Sequence, residues 1–137
     1  MSRYLHTLLK AIDLHVPLGL ANLEIKNLSC DSREIEKGDL FLGLDGEKVD
    51  GGTYWVQAIE RGASAAIISK NASLLNPPTN VDPVVISPDP VSLFMGKLAA
   101  VYWGKPSSEI CLIGVTGTNG KTTTSFLIEF LTASLGH

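Results

Sequence analysis

The fold is decided late in the chain, by the stretch Ile113-Gly114-Val115-Thr116-Gly117-Thr118-Asn119-Gly120-Lys121-Thr122-Thr123-Thr124. Gly117 and Gly120 lack a Cβ, so the backbone can turn tightly there and bring successive N–H groups against phosphate oxygens. Lys121 adds a positive charge near the β- and γ-phosphates, and Thr122 offers its hydroxyl to Mg²⁺. The stretch therefore predicts a phosphate-binding loop for a nucleotide.

The segments on either side of the loop support this interpretation. Residues 109–115 read as a buried strand, and apolar residues recur at helical spacing after the loop, at Phe126, Leu127, Phe130 and Leu131. The helix N-terminus then faces the phosphates with its partial positive charge. The strict pattern needs glycine where this chain has Val115, so the match is to a variant loop. The alternative is a glycine-rich turn with a solvated lysine.

Composition excludes several classes of protein. The 137 residues are 45% hydrophobic and 18% charged, which suits one domain core and not a disordered chain. The apolar runs have the length of strands, so we expect no membrane span. The charged N-terminus does not resemble a signal peptide, and we expect a cytoplasmic protein. The net charge of −3 gives no basic field, which argues against nucleic acid as a partner.

The two cysteines, Cys30 and Cys111, lie far apart in the sequence with no histidine at ligand spacing. We expect reduced, half-buried thiols and not a disulfide or a metal site.

Apolar periodicity alternates between the helical and the strand type, which predicts an α/β fold. The predicted helices are one capped by Ser2 that ends before Pro17, one over residues 53–61, and one capped by Asp89 that runs through Trp103. The predicted strands cover residues 23–30, 39–44, 63–69 and 84–87. Residues 71–83, with Pro77 and Pro78, are predicted to be a loop.

Two domains follow from this pattern. Residues 1–104 form a small α/β domain, and residues 104–108 have the composition of a linker. Residues 109–137 are the start of a phosphate-loop domain. One strand and one helix cannot close a core, because the central strand of such a domain needs parallel neighbours. We therefore expect this second domain to be incomplete.

Several motifs besides the phosphate loop follow one another at a recognisable spacing. They are Cys30-Asp31-Ser32-Arg33, Lys37-Gly38-Asp39-Leu40-Phe41-Leu42-Gly43-Leu44, Asp50-Gly51-Gly52, Gln57-Ala58-Ile59 and Gly62-Ala63. In the order and spacing of these motifs the chain resembles the Mur ligases, and among them most closely the UDP-N-acetylmuramyl-tripeptide synthetases.

The resemblance implies a three-domain cytoplasmic enzyme of peptidoglycan synthesis, which we expect to be a monomer. Its N-terminal domain would bind the UDP end of UDP-N-acetylmuramoyl-L-alanyl-D-glutamate, and its central domain would bind ATP and Mg²⁺. A C-terminal domain would bind the incoming diamino acid. Whether that residue is meso-diaminopimelate or L-lysine is left open.

The resemblance also assigns residues. Cys30 and Ser32 would contact the UDP moiety, where a hydroxyl can donate to a phosphate or uracil oxygen. Glu47, Lys48 and Val49 align with a second UDP-contacting stretch, with main-chain contacts expected there. ATP would be held by Gly117, Thr118, Asn119, Gly120, Lys121, Thr122 and Thr123, with Lys121 as the catalytic cation and Thr122 as the metal ligand.

The reaction implied by the resemblance activates a carboxylate, which is a poor electrophile. The γ-phosphoryl group of ATP would pass to the D-glutamate carboxylate, and an amino acid would then displace phosphate from the acyl phosphate. Lys121 and the loop amides would neutralise charge during the transfer. We expect the 137-residue chain alone to have no ligase activity.

Three alternatives remain open at this point. The first is the next ligase of the pathway, which adds D-alanyl-D-alanine. The second is a nucleotide-sugar binding module without catalysis, and the third is an unrelated phosphate-loop ATPase or GTPase.

Some residues near the motifs have equally simple structural interpretations. Asp31 and Arg33 are as well explained by a local ion pair as by a ligand role. Asp39 is expected to stabilise a turn. Tyr54 and Trp55 could stack on uracil, but packing is favoured for both.

Overall fold

The computed structural model of the chain describes residues 3–88 and 90–136. The chain divides into two compact units, Met1–Pro106 and Ser107–His137. The predicted caps at Ser2 and Asp89 lie outside the described residues, as does His137.

A parallel sheet forms the centre of the first unit. Within residues 3–88 the structure has four strands in the order β1-β2-β3-β4, all parallel. They are β1 Leu28–Ser29, β2 Leu40–Leu42, β3 Ala65–Ser69 and β4 Val84–Ser87. In the register, Leu40 lies opposite both Leu28 and Ala65, and Ala66 lies opposite Val84. The carboxyl ends of the strands therefore lie at one edge of the sheet, where ligands bind in open α/β folds.

Helices connect the strands and follow the last one. They are α1 Leu5–Ala11, a 3₁₀ turn Gly51–Tyr54 that leads into α2 Trp55–Glu60, α3 Lys70–Leu75 and α4 Val91–Tyr102. A second 3₁₀ turn, Pro106–Ser108, lies where the two units divide, and α5 Lys121–Ser134 belongs to the second unit. No helix in the described part of the chain is both long and apolar enough to span a bilayer.

Two hydrophobic clusters cover the two faces of the sheet. Because successive strand residues point to opposite faces, Leu40 and Leu42 pack in one cluster and Phe41 in the other. The first cluster includes buried residues of α1 and α4, and the second includes buried residues of α2 and α3. Both faces of the sheet are thus covered, as is usual for parallel strands.

A close approach of two glycines fixes the turn beside the carboxyl end of β2. A Cβ on Gly43 would lie 2.3 Å from the Cα of Gly52. Asp50 holds this turn, because its Oδ1 accepts a hydrogen bond from Gly52 N at 2.8 Å. Its Oδ2 accepts the hydroxyl hydrogen bond of Ser69, at the end of β3. The Gly51–Tyr54 turn is therefore fastened to the end of β3 and packs closely against Gly43, the residue after β2.

The main elements of the first unit are confirmed. The predicted helix near the N-terminus is α1, with Leu5, Leu8 and Leu9 fully buried. The strands predicted at 39–44, 63–69 and 84–87 are β2, β3 and β4. β4 has the predicted bounds, and β2 and β3 are shorter than predicted. Gly62 ends the helical segment with a φ of +114°, as glycine can.

Three predictions about local structure are wrong. Residues 23–30 form a strand only at Leu28–Ser29. Residues 70–75 are helical, because Ser69 caps α3 by accepting a hydrogen bond from Ala72 N at 2.9 Å. Residues 109–115 form no strand. Ile110 and Leu112 there are 62% and 72% exposed, since a strand needs a neighbour to pair its backbone.

The second unit contains the predicted helix. α5 covers Lys121–Ser134, and Gly120 precedes it as the N-cap with a φ of +75°. The apolar side chains that predicted the helix are exposed on its surface: Phe126, Leu127, Phe130 and Leu131.

Candidate functional site

A cleft of about 570 Å³ opens in the first unit beside the end of β1. Its walls come from the loop after β1, from β2, and from the turn that leads into α2. The lining residues are Cys30, Asp31, Ser32, Arg33, Phe41, Gly51, Tyr54 and Gln57. Segments distant in sequence therefore meet at one concave surface, which is the usual form of a small-molecule site.

Ser32 lies at the bottom of this cleft with only 8% of its surface exposed. Its Oγ donates a hydrogen bond to Gln57 Oε1 at 2.8 Å, which joins the loop after β1 to α2. Earlier in the loop, Asp31 N donates to Ser29 Oγ at 3.2 Å. These contacts fix the hydroxyl of Ser32 in place.

Asp31 and Arg33 form an ion pair at the rim of the cleft. Arg33 Nε donates to Asp31 Oδ1 at 2.9 Å and Nη2 donates to Oδ2 at 2.6 Å. The side-chain hydrogen bonds from Arg33, followed by its backbone hydrogen bond, lower the pKa of Asp31 to about 2. The structure therefore contains the local ion pair that was one of the two interpretations of Asp31 and Arg33.

Cys30 lines the cleft and contacts α4. Its Sγ lies 3.6 Å from Met95 Sδ, and partial burial raises the pKa of the thiol. A raised pKa keeps the thiol protonated and unreactive at neutral pH. Cys30 and Cys111 are both exposed residues, and the thiol of Cys30 is partly buried.

Glu47, Lys48 and Val49 lie outside this cleft. They form the exposed tip of a loop that is closed by a backbone bridge between Asp45 and Asp50. Burial, followed by the negative charge of Asp50, raises the pKa of Asp45. The structure thus brings Cys30 and Ser32 together and leaves the 47–49 stretch apart from the cleft lining.

The two aromatic residues at the start of α2 have different environments. Trp55 is 5% exposed, and its Nε1 donates to Asn76 O at 2.9 Å, so it is a packing residue as expected. Tyr54 is 49% exposed and lines the cleft. The exposed half of Tyr54 leaves the stacking alternative available to it.

Sequence reasoning missed Gln57 as a member of this site. Its only signal was its place in the Gln57-Ala58-Ile59 motif, and nothing in the spacing placed it next to Ser32. Asp39 has the predicted turn role, because its Oδ2 accepts a hydrogen bond from Glu36 N at 3.0 Å.

The phosphate-loop residues form a separate candidate site in the second unit. Gly117 has a φ of +146° and Gly120 a φ of +75°, conformations that glycine adopts readily. Lys121 Nζ donates to Gly117 O at 2.6 Å, so the lysine folds back over its own loop. Thr118, Asn119, Thr122 and Thr123 are exposed around it.

Thr122 is a suitable hydroxyl ligand for Mg²⁺, since it is the first residue after the loop lysine and is exposed. Mg²⁺ in such sites also takes carboxylates and phosphate oxygens. Among the described residues no group of three or more histidine, cysteine, aspartate or glutamate side chains could hold a metal ion. The described residues therefore supply one of the expected ligands.

Comparison with known proteins agrees with this architecture. The family described as "Mur ligase family, catalytic domain" matches residues 24–103. The chain is 88% identical over 137 residues to the UDP-N-acetylmuramoyl-L-alanyl-D-glutamate–2,6-diaminopimelate ligase of Prochlorococcus marinus strain NATL1A, covering 100% of this chain and 27% of that protein. It is 54% identical to the ligase of the same name from strain MIT 9313, covering 99% of this chain and 27% of that protein.

Solved structures show the same fold. A UDP-N-acetylmuramoyl-L-alanyl-D-glutamate–2,6-diaminopimelate ligase aligns with a TM-score of 0.68 and 26% identity, over 95% of this chain and 26% of that one. A UDP-N-acetylmuramoylalanyl-D-glutamyl-2,6-diaminopimelate–D-alanyl-D-alanyl ligase from Acinetobacter baumannii aligns with a TM-score of 0.61 and 30% identity, over 87% of this chain and 25% of that one.

The fold and the motif together define an α/β protein in which a parallel-sheet unit precedes a phosphate-loop unit. The chain belongs to the Mur ligase family, which confirms the resemblance carried by its motifs. It spans about a quarter of the length of the curated relatives it matches, 27% in the first two.

Proposed function

We propose that this chain supplies two ligand-binding units of an ATP-dependent ligase that adds 2,6-diaminopimelate to UDP-N-acetylmuramoyl-L-alanyl-D-glutamate. Residues 1–104 would bind the UDP end of the nucleotide sugar, and residues 109–137 would begin the ATP-binding domain. The observation that carries the proposal is the cleft around Ser32 in one unit together with the phosphate loop in the other. The names of the relatives at 88% and 54% identity support diaminopimelate over L-lysine as the added residue.

The cleft is suited to an uncharged ring attached to an anion. Tyr54 offers an exposed aromatic face, and Ser32 and Gln57 offer neutral hydrogen-bonding groups. Arg33, the cation among the lining residues, would face a bound diphosphate at the rim. We place Cys30 and Ser32 at the UDP moiety, and the 47–49 loop outside the cleft would meet the part of the ligand that extends beyond it.

The phosphate loop would bind ATP through backbone N–H groups of Gly117 to Thr123. Lys121 would leave its contact with Gly117 O and pair with the phosphates, which is the catalytic role we assign to it. Mg²⁺, held in part by Thr122, supplies charge neutralisation when bound. Transfer of the γ-phosphoryl group to the D-glutamate carboxylate releases ADP. Attack by the amine on the acyl carbon then releases phosphate and a proton.

The proposed substrates indicate the cellular compartment in which the enzyme works. Since ATP and nucleotide sugars are metabolites of the cytoplasm, we place the protein there. All the lining residues of the cleft come from one chain, and we propose that the protein works as a monomer. The D-alanyl-D-alanyl ligase alternative has less support, because the closely similar curated relatives carry the diaminopimelate name.

Thermal unfolding with separate ligands tests the proposal. A ligand that binds only the folded state at a hundred times its Kd stabilises it by about 2.7 kcal/mol. The nucleotide sugar and ATP with Mg²⁺ should each raise the midpoint of the wild-type chain. Ser32→Ala should reduce the response to the nucleotide sugar and keep the response to ATP, and Lys121→Ala should do the reverse. A response to ATP alone would contradict the assignment of the cleft.

A further inference from the structure

The hydroxyl of Ser32 and the side-chain amide of Gln57 form a hydrogen bond beside the cleft. A serine hydroxyl has one proton to donate and two lone pairs that accept. In the structure the proton is directed at Gln57 Oε1, 2.8 Å away. With its proton committed, Ser32 offers its lone pairs to whatever enters the cleft. It would therefore meet a ligand as an acceptor, the opposite of the donor role that the sequence suggested.

An acceptor at this position selects the part of the ligand it can contact. Phosphate oxygens are themselves acceptors, so they cannot pair with Ser32 in this state. Ser32 and Phe41 are 8% and 1% exposed, at the bottom of the cleft. The side chain of Arg33 is 78% exposed, at the rim. An uncharged base costs less to bury than a diphosphate. The base would thus enter the cleft and leave the phosphates near Arg33.

We infer that Gln57 is a positioning residue that holds Ser32 as the hydrogen-bond acceptor for the N3–H group of uracil. The N3–H group is the only N–H donor of the uracil ring. Tyr54, half-exposed on the same wall, would lie against the face of the base. This inference rests on the proposed function, because it requires that the UDP moiety occupies this cleft.

The test compares the affinity of the chain for UDP with its affinity for N3-methyl-UDP, which lacks the imide proton. Loss of one neutral hydrogen bond is expected to weaken binding by about five- to tenfold in the wild-type chain. In Ser32→Ala the acceptor is already absent, so methylation should weaken binding by less than about twofold. Persistence of the full methylation penalty in Ser32→Ala would overturn the inference, since Ser32 would then contact another part of the ligand.

Two substitutions of Gln57 separate positioning from a structural role. Gln57→Glu keeps an acceptor for the Ser32 proton and should keep the methylation penalty. Gln57→Leu removes it, so the hydroxyl turns its proton towards the cleft and the penalty should fall below about twofold. Charge or stability effects of either variant act on both ligands alike and cancel in the ratio. Equal penalties in the two variants would contradict the positioning role. Glu60→Gln, on α2 and away from the cleft, is the control and should behave as wild type.

Failure of the proposed function gives a different result. A wild-type chain that binds neither UDP nor its methyl derivative would overturn both the function of the cleft and this inference. Binding of both with equal affinity would overturn the inference alone.

Discussion

Replacing Gly43 with alanine should destabilise the first unit and disturb the cleft together. Gly43 follows β2, and the Cβ of alanine there would lie 2.3 Å from Gly52 Cα and 2.8 Å from Gly52 N. Both neighbours are backbone atoms of the turn that Asp50 fastens to Ser69, so neither can rotate away. Overpacking of this kind costs about 1–3 kcal/mol. The clash is purely steric, because Gly43 has no left-handed φ.

Gly96→Ala is a matched control in the same unit. Gly96 lies inside α4, and a Cβ added there would have no atom within 4 Å outside its own helical backbone and chain neighbours. Alanine there should stabilise the helix by about 0.5–1 kcal/mol, since glycine is the poorer helix former. Replacing glycine with alanine is therefore expected to lower the free energy of unfolding at position 43 and to raise it at position 96.

Urea unfolding followed by tryptophan fluorescence measures both variants. The two tryptophans, Trp55 and Trp103, lie in Met1–Pro106, so the signal reports on the first unit. A shift of 1 kcal/mol changes the thermal midpoint of a domain of this size by about 4–8 °C. Gly43→Ala should also weaken UDP binding, because Gly51 of the displaced turn lines the cleft. A Gly43→Ala chain as stable as the wild type would refute the close approach of the two glycines.

Three further changes test separate parts of the first unit. Tyr102→Phe removes the hydroxyl that donates to the Lys26 carbonyl and should lower the free energy of unfolding by about 1 kcal/mol in chemical denaturation, where an unchanged value would contradict the contact. Arg33 lowers the pKa of Asp31 from 3.8 to about 2. The ion pair therefore stabilises the folded state above about pH 3.8, and this contribution is lost as the pH falls towards 2. Carbon NMR titration of Asp31 should show a midpoint near 2 that returns towards 3.8 in Arg33→Leu. Ser69→Ala removes both the N-cap of α3 and the hydrogen bond to Asp50 and should cost about 1 kcal/mol or more, with hydrogen-exchange protection lost in α3 and in the Gly51–Tyr54 turn.

The sequence predicted the elements whose pattern is local. The spacing of Leu5, Leu8 and Leu9 specifies α1, and the apolar run at Ala65–Ser69 specifies β3. It could not predict α3, because that helix depends on its Ser69 cap and on packing of Ala72 against the second cluster. Residues 109–115 show the reverse case. Their apolar pattern predicts a strand, but a strand forms only beside a partner.

Only part of the candidate site could be predicted from the sequence. Cys30 and Ser32 were named through a motif, and their place after β1 brings them to the edge of the sheet where ligands bind. Gln57 is 25 residues from Ser32, and only the packing of α2 brings the two side chains together. The 47–49 loop could not be placed from the motif, since the bridge between Asp45 and Asp50 holds it outside the cleft lining.

Amide chemical-shift mapping of the chain with each ligand shows directly which unit binds it. UDP-N-acetylmuramoyl-L-alanyl-D-glutamate should shift the amides of residues 30–33 and Gln57 and leave residues 117–123 unchanged. ATP with Mg²⁺ should shift residues 117–123 and leave the cleft unchanged. Shifts from the nucleotide sugar confined to residues 117–123, or no shift at residues 30–33, would contradict a nucleotide-sugar site in the first unit.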